Sequence, residues 1–83
     1  MKQLSRIDLN LFVVFEVIYR ERNVTRAAEI LCLTQPAVSN SLARLRDLLD
    51  DPLFVRTPQG MTPTPVAHNI MPHVVEALGL LDK

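Results

Sequence analysis

In a chain of 83 residues, the groups best suited to reading a hydrogen-bonding pattern stand together in LTQPAVSNSLARLR, Leu33 to Arg46. At about 100° per helical residue, Gln35, Pro36, Ser39, Asn40, Ala43 and Arg46 gather on one face. Val38, Leu42, Leu45 and Leu49 form an apolar stripe opposite. A helix facing only water would carry Glu and Lys, which favour the helix and keep it soluble. Gln can bond adenine through N6 and N7, Ser can donate or accept, and an Ala or Pro edge can meet a thymine methyl. Long charged side chains would hold such a helix off the base edges, whereas short polar ones let it sit deep in the DNA major groove. The same residues can equally be solvated surface, because short patterns of this kind arise by chance.

Other chemistry is thinly represented. Cys32, His68 and His73 are the candidate metal ligands or nucleophiles, but the histidines are five residues apart and do not share a helix face. No carboxylate or cysteine cluster completes a metal site. Neither a Gly-rich phosphate loop nor a Ser/His/Asp arrangement occurs, so no cofactor, metal or enzymatic activity is expected. Cys32 reads as a small apolar filler in a bend. A single cysteine excludes an internal disulfide framework and fits a reducing cytoplasm. The longest apolar run, Leu11 to Phe15, is too short for a membrane span, and the polar start from Met1 to Asn10 has no secretory character.

Net charge is zero, which gives no global case for a polyanionic partner. That counts mildly against DNA binding, and the distribution qualifies it. Five arginines lie between Arg20 and Arg46 against only Glu21 and Glu29, and a polyanion responds to the face it meets.

Several elements must position these groups. A first helix runs from an Asp8 cap to about Arg22, and its apolar residues, Phe12 and Phe15 among them, occupy most of its circumference. Such a helix needs cover on more than one side, from its own core alone or from core and a second subunit. A second helix, Val24 to Leu31 with Asn23 as cap, carries Val24, Ala27, Ala28 and Leu31 at core spacing. Its alanines permit close approach of a neighbour. After a break at Cys32-Leu33, Thr34 caps the third helix, with Pro36 in the first turn where a missing N–H is harmless. Two helices joined by a tight turn make a helix-turn-helix.

Downstream, Leu53-Phe54-Val55, a turn at Pro58-Gln59-Gly60 and Met61 to Thr64 predict a small hairpin, or wing. Arg56 and Thr57 fall near its tip, where an arginine can reach a phosphate or a narrow minor groove. Alternatively, Arg56 lays its stem on Phe54. A last helix starts with Thr64 as cap and Pro65 in first position. Val66, Ile70, Val74, Ala77, Leu78 and Leu81 form a stripe that wants the first helix, a second subunit or both; Pro72 should kink it. The expected fold is mainly α: a winged helix-turn-helix with a three-helix core over residues 1–64, then a long linker helix over 65–83.

The order of NVTRAAEILCLTQPAVSNSLARLR, LFVRT and a TPTP-initiated helix resembles the N-terminal DNA-binding domain of LysR-type transcriptional regulators, from about Asp8 to Leu81. DLNL, QPAVSN and PTP look closest to the branch of nodulation and aromatic-compound regulators. The resemblance implies a homodimer joined through the last helix, with two recognition helices in successive major grooves of a dyad operator on double-stranded DNA. It carries base contacts onto Gln35, Pro36 and Ser39, places Thr34 near phosphate, and matches Arg56 to the wing arginine. Asn40 stands where the family often has Arg, losing reach and charge. Gln59 stands where a second wing arginine is common, which should weaken the minor-groove component.

With the outward face, this gives Gln35, Pro36, Ser39 and Asn40 to bases, and Thr25, Arg26, Thr34, Arg44, Arg56 and Gln59 to backbone or groove edge. Phe12, Phe15, Ile70, Val74, Ala77, Leu78 and Leu81 are assigned to the dimer interface. Such regulators continue into a larger domain that binds a small-molecule effector. Nothing of that domain stands in these residues, so the chain is expected to be an excised domain rather than, as the alternative, a naturally short protein. The rival from another class is a winged-helix protein-interaction module without DNA binding, which would show an apolar outward face on the third helix.

Overall fold

The computed structural model describes residues 9–79. Its elements are α1 (Leu9–Glu21), α2 (Val24–Leu31), α3 (Gln35–Leu49), β1 (Phe54–Thr57), β2 (Gly60–Pro63) and α4 (Pro65–Ala77). Three helices and a two-stranded antiparallel hairpin, followed by a fourth helix, make a winged helix-turn-helix.

Local chemistry accounts for each boundary. Asn23 adopts an extended conformation and its side chain accepts from the N–H of Arg26 at 2.8 Å, capping α2. Helix α2 ends at Cys32, whose φ of 58° turns the chain left-handed while its N–H bonds the carbonyls of Ala28 and Glu29. Cys32 is exposed, which corrects its reading as an apolar filler: the left-handed cap points its side chain outward. Thr34 accepts from the N–H of Ala37 at 3.2 Å and opens α3. Asp50, with φ of 53°, closes it. Leu49 was expected on the inward stripe but is 39% exposed, because the last turn of α3 runs past the core. The expected Asp8 cap lies outside the described residues.

The six largest fully buried side chains at the centre are Phe15, Phe54, Ile18, Leu45, Leu53 and Val38. Ala27 and Ala28 are buried between the helices, as their size allows. The rings of Phe15 and Phe54 meet at 5.4 Å between centroids, tying the wing's first strand to α1. The hairpin pairs Phe54 with Pro63 and Arg56 with Met61, and closes with Thr57 opposite Gly60 around Pro58-Gln59. Gly60 takes φ of +110°, and a Cβ there would lie 2.6 Å from the carbonyl oxygen of Arg22. Only glycine lets the wing come this close, and the N–H of Met61 then donates to that same carbonyl at 2.9 Å.

Between α3 and β1 the chain is held by polar ties. The N–H of Phe54 reaches the carbonyl of Pro52 at 2.6 Å across Leu53, whose φ is 65°, giving a three-residue γ-turn. The Asp51 carboxylate accepts from the N–H of Leu53 at 2.8 Å and from the Thr64 hydroxyl at 2.7 Å. Thr64 Oγ1 in turn accepts from the N–H of Ala67 and caps α4.

Two residues assigned to a dimer interface belong to the chain's own core. Phe15 has no exposed surface and Val74 is 5% exposed, because α1 and α4 each turn these residues into the apolar cluster of the chain itself. Phe12, Ile70 and Leu78 pack partly against the same core, and Ala77 is exposed. Leu81 lies outside the described residues. Within α4, Val66 is exposed, whereas Ala67, absent from the expected stripe, is fully buried. Helix α4 also meets α1 through Tyr19, whose hydroxyl shares a 2.6 Å hydrogen bond with Nδ1 of His68. Pro72 stands inside α4.

Candidate nucleic-acid interface

Helix α3 is amphipathic with small polar groups outermost. Gln35, Pro36, Ser39, Asn40 and Ala43 are exposed, while Val38, Leu42 and Leu45 on the opposite side are buried. Thr25 and Arg26 are exposed in the first turn of α2, and Thr34 is exposed at the start of α3. The capped first turns of both helices border one concavity, through Val24 and Thr25 of α2 and Gln35 of α3.

The wing closes that concavity, which is bordered by Asn23, Thr25, Gln35, Arg56 and Gly60. A second, beside it, is bordered by Ser39, Leu42, Arg46, Arg56 and Met61. Arg56 borders both, so the wing arginine shares one concavity with Gln35 and the other with Ser39. Asn40 and Gln59 are exposed but border neither, Gln59 lying in the turn at the wing tip. Arg44 lies on the other flank of α3, beside Ala37, Ser41 and the apolar Leu31 and Leu33.

The arginines differ in what already holds them. Arg20 bonds Glu16 at 2.8 Å and Glu21 at 3.3 Å; the hydrogen bond to Glu21 and then the charge of Glu16 raise its pKa. Arg26 lies 3.2 Å from Glu29, an exposed pair that a phosphate can displace at little cost, and 3.9 Å from the half-buried Glu21. Arg22 donates from Nε to the carbonyl of Tyr19 and lies 5.0 Å over its ring. Arg46, assigned by helical spacing to the outward face, donates instead to the carbonyls of Pro52 and Phe54. That leaves Arg44 and Arg56 with no ion pair or hydrogen bond among the described residues. Sequence reasoning missed the roles of Arg46 and Asp51 because both act across a loop, where no periodicity operates.

Among the described residues no group of His, Cys, Asp and Glu could hold a metal ion, and no helix is long and apolar enough to cross a membrane.

Residues 9–68 match the family described as bacterial regulatory helix-turn-helix protein, lysR family. The HTH-type transcriptional activator NahR of Pseudomonas putida is 54% identical over 79 residues, 95% of this chain and 26% of that protein. The HTH-type transcriptional regulator LeuO of Escherichia coli is 47% identical over 95% of this chain and 25% of its own length. The chain thus spans about a quarter of the length of these curated relatives. A probable transcriptional regulator from Pseudomonas aeruginosa superposes with a TM-score of 0.88 at 44% identity, covering 99% of this chain and 28% of that one. The BenM_DBD/catB site 1 DNA complex gives a TM-score of 0.83 at 26% identity, covering 92% and 85%.

Proposed function

Because the chain belongs to the LysR family of bacterial regulatory helix-turn-helix proteins, we propose that it is the duplex-DNA-binding domain of a transcriptional regulator. In this reading α3 enters the major groove and Gln35, Pro36, Ser39 and Asn40 face base edges. Thr25, Arg26, Thr34 and Arg44 meet phosphates along the groove edge, and Arg56, with Gln59 at the tip, brings the wing to the minor groove. Residues 1–64 form the binding unit and 65–83 begin a helix that joins two copies. A further domain outside these residues receives a small-molecule effector, and the regulator works in the cytoplasm without enzymatic chemistry.

One observation carries this reading. The exposed face of α3 is built from short polar residues, and Ser39 on it borders one concavity with Arg56, a cation without an ion pair or hydrogen bond among the described residues. An interaction module would present an apolar face there. The likeness to a domain solved on DNA, BenM, supports the same conclusion.

The test is titration of the chain with duplex DNA at graded salt. Each phosphate neutralised should contribute a slope of roughly −0.9 in log affinity against log salt. Binding that ignores salt, or no binding at low salt, would remove the proposal.

A further inference from the structure

We infer that Arg46 is a positioning residue for duplex binding, a brace that holds the wing in register with α3 so that Arg56 faces Gln35 and Ser39. The inference rests on the DNA-binding reading above. Helical spacing puts Arg46 on the same side of α3 as Ser39. Its guanidinium is nevertheless turned back to the loop, with Nε donating to Pro52 O at 2.7 Å and Nη2 to Phe54 O at 3.0 Å. Two parallel bonds from one rigid fork fix direction as well as distance.

What the fork holds needs holding. Leu53 occupies the left-handed region at φ of 65°, a conformation that costs a non-glycine residue energy and persists only where surrounding contacts over-determine it. Arg46 grips the carbonyls on either side of Leu53, and the Asp51 carboxylate takes the N–H of Leu53 itself.

Strand geometry carries the effect to the wing arginine. Side chains alternate with a period of two, so Arg56 points to the same face of β1 as Phe54. Phe54 is fully buried on that face, and the cross-strand partner of Arg56, Met61, is buried there too. Fixing the Phe54 carbonyl therefore fixes the direction of Arg56. Arg46 and Arg56 border the same concavity with Ser39, which is where the aim matters.

The experiment compares Arg46→Met, which keeps the stem but removes the donors, with Arg46→Lys, Arg56→Ala and the Arg46→Met/Arg56→Ala double variant. Duplex affinity is measured across salt, and amide hydrogen exchange is followed on the 83-residue chain without DNA. Arg46→Met should weaken binding by about tenfold, the loss expected for hydrogen bonds to a charged group. Arg56→Ala should add no further loss in that background, and Arg46→Lys should not restore binding, since an ammonium cannot form the fork. Amides of residues 54–63 should exchange faster in Arg46→Met while α1 to α3 stay protected. Losses that multiply in the double variant, or unchanged wing exchange, would overturn the brace. If the unsubstituted chain binds no duplex, the DNA reading falls, and wing exchange alone decides: acceleration supports the brace and no change refutes it.

Discussion

Ser39 and Gln35 sit exposed on α3 and each borders a concavity with Arg56, so a carboxylate at either position would face the groove in place of a neutral hydrogen-bonding group. Ser39→Glu and Gln35→Glu should each reduce specific duplex affinity by tenfold or more, since a good base contact is worth roughly 1–3 kcal/mol. Neither should lower the melting temperature measurably, because exposed substitutions stay within about 0.5 kcal/mol. A clear drop in melting temperature would mean that the residue faces the core. Gly60 shows the opposite balance. Gly60→Ala pushes a Cβ to 2.6 Å from the Arg22 carbonyl at a φ of +110°. It should cost more than about 1 kcal/mol in denaturant unfolding, because the native backbone is incompatible with a side chain. Helical spacing made Gln35 and Ser39 legible in the sequence. The approach of Gly60 to Arg22 was not, because 37 residues of intervening chain must fold before the two meet.

Among the elements, the helices followed from their caps. Asn23, Thr34 and Thr64 each sit where a side-chain oxygen can take an N–H three residues on, and all three do so. The wing followed from Pro58-Gln59-Gly60, though its first strand begins one residue later than expected because Leu53 turns left-handed. Spacing alone could not assign Phe15 between core and interface, since a helix that is apolar most of the way round gives no preferred face. Arg56→Ala should weaken binding to all duplexes and reduce the salt slope by about one ion; an unchanged slope would remove Arg56 from the contacts. Thr64→Val removes both the α4 cap and the bond to Asp51, and should lower stability by about 1–2 kcal/mol in denaturant unfolding.

For the whole molecule, the polar face of α3 and the exposed part of α4 have different tasks. Val74 and Phe15 complete the chain's own core, so a dimer would be built from what remains: the partly buried Phe12, Ile70 and Leu78 and the exposed Ala77. Ala77→Glu should leave the fold intact and shift sedimentation toward the monomer, with a matching loss of affinity for a two-site duplex but not for a single half-site. Unchanged sedimentation would move the interface away from this face. In the proposed complex α3 reads sequence as one half of a symmetric pair. Selection of bound duplexes from a random pool tests it most directly. The enriched sequences should carry a two-fold repeat whose half-sites lie about one helical turn, or a multiple of it, apart. Recovery of unrelated sequences with no shared repeat would contradict it.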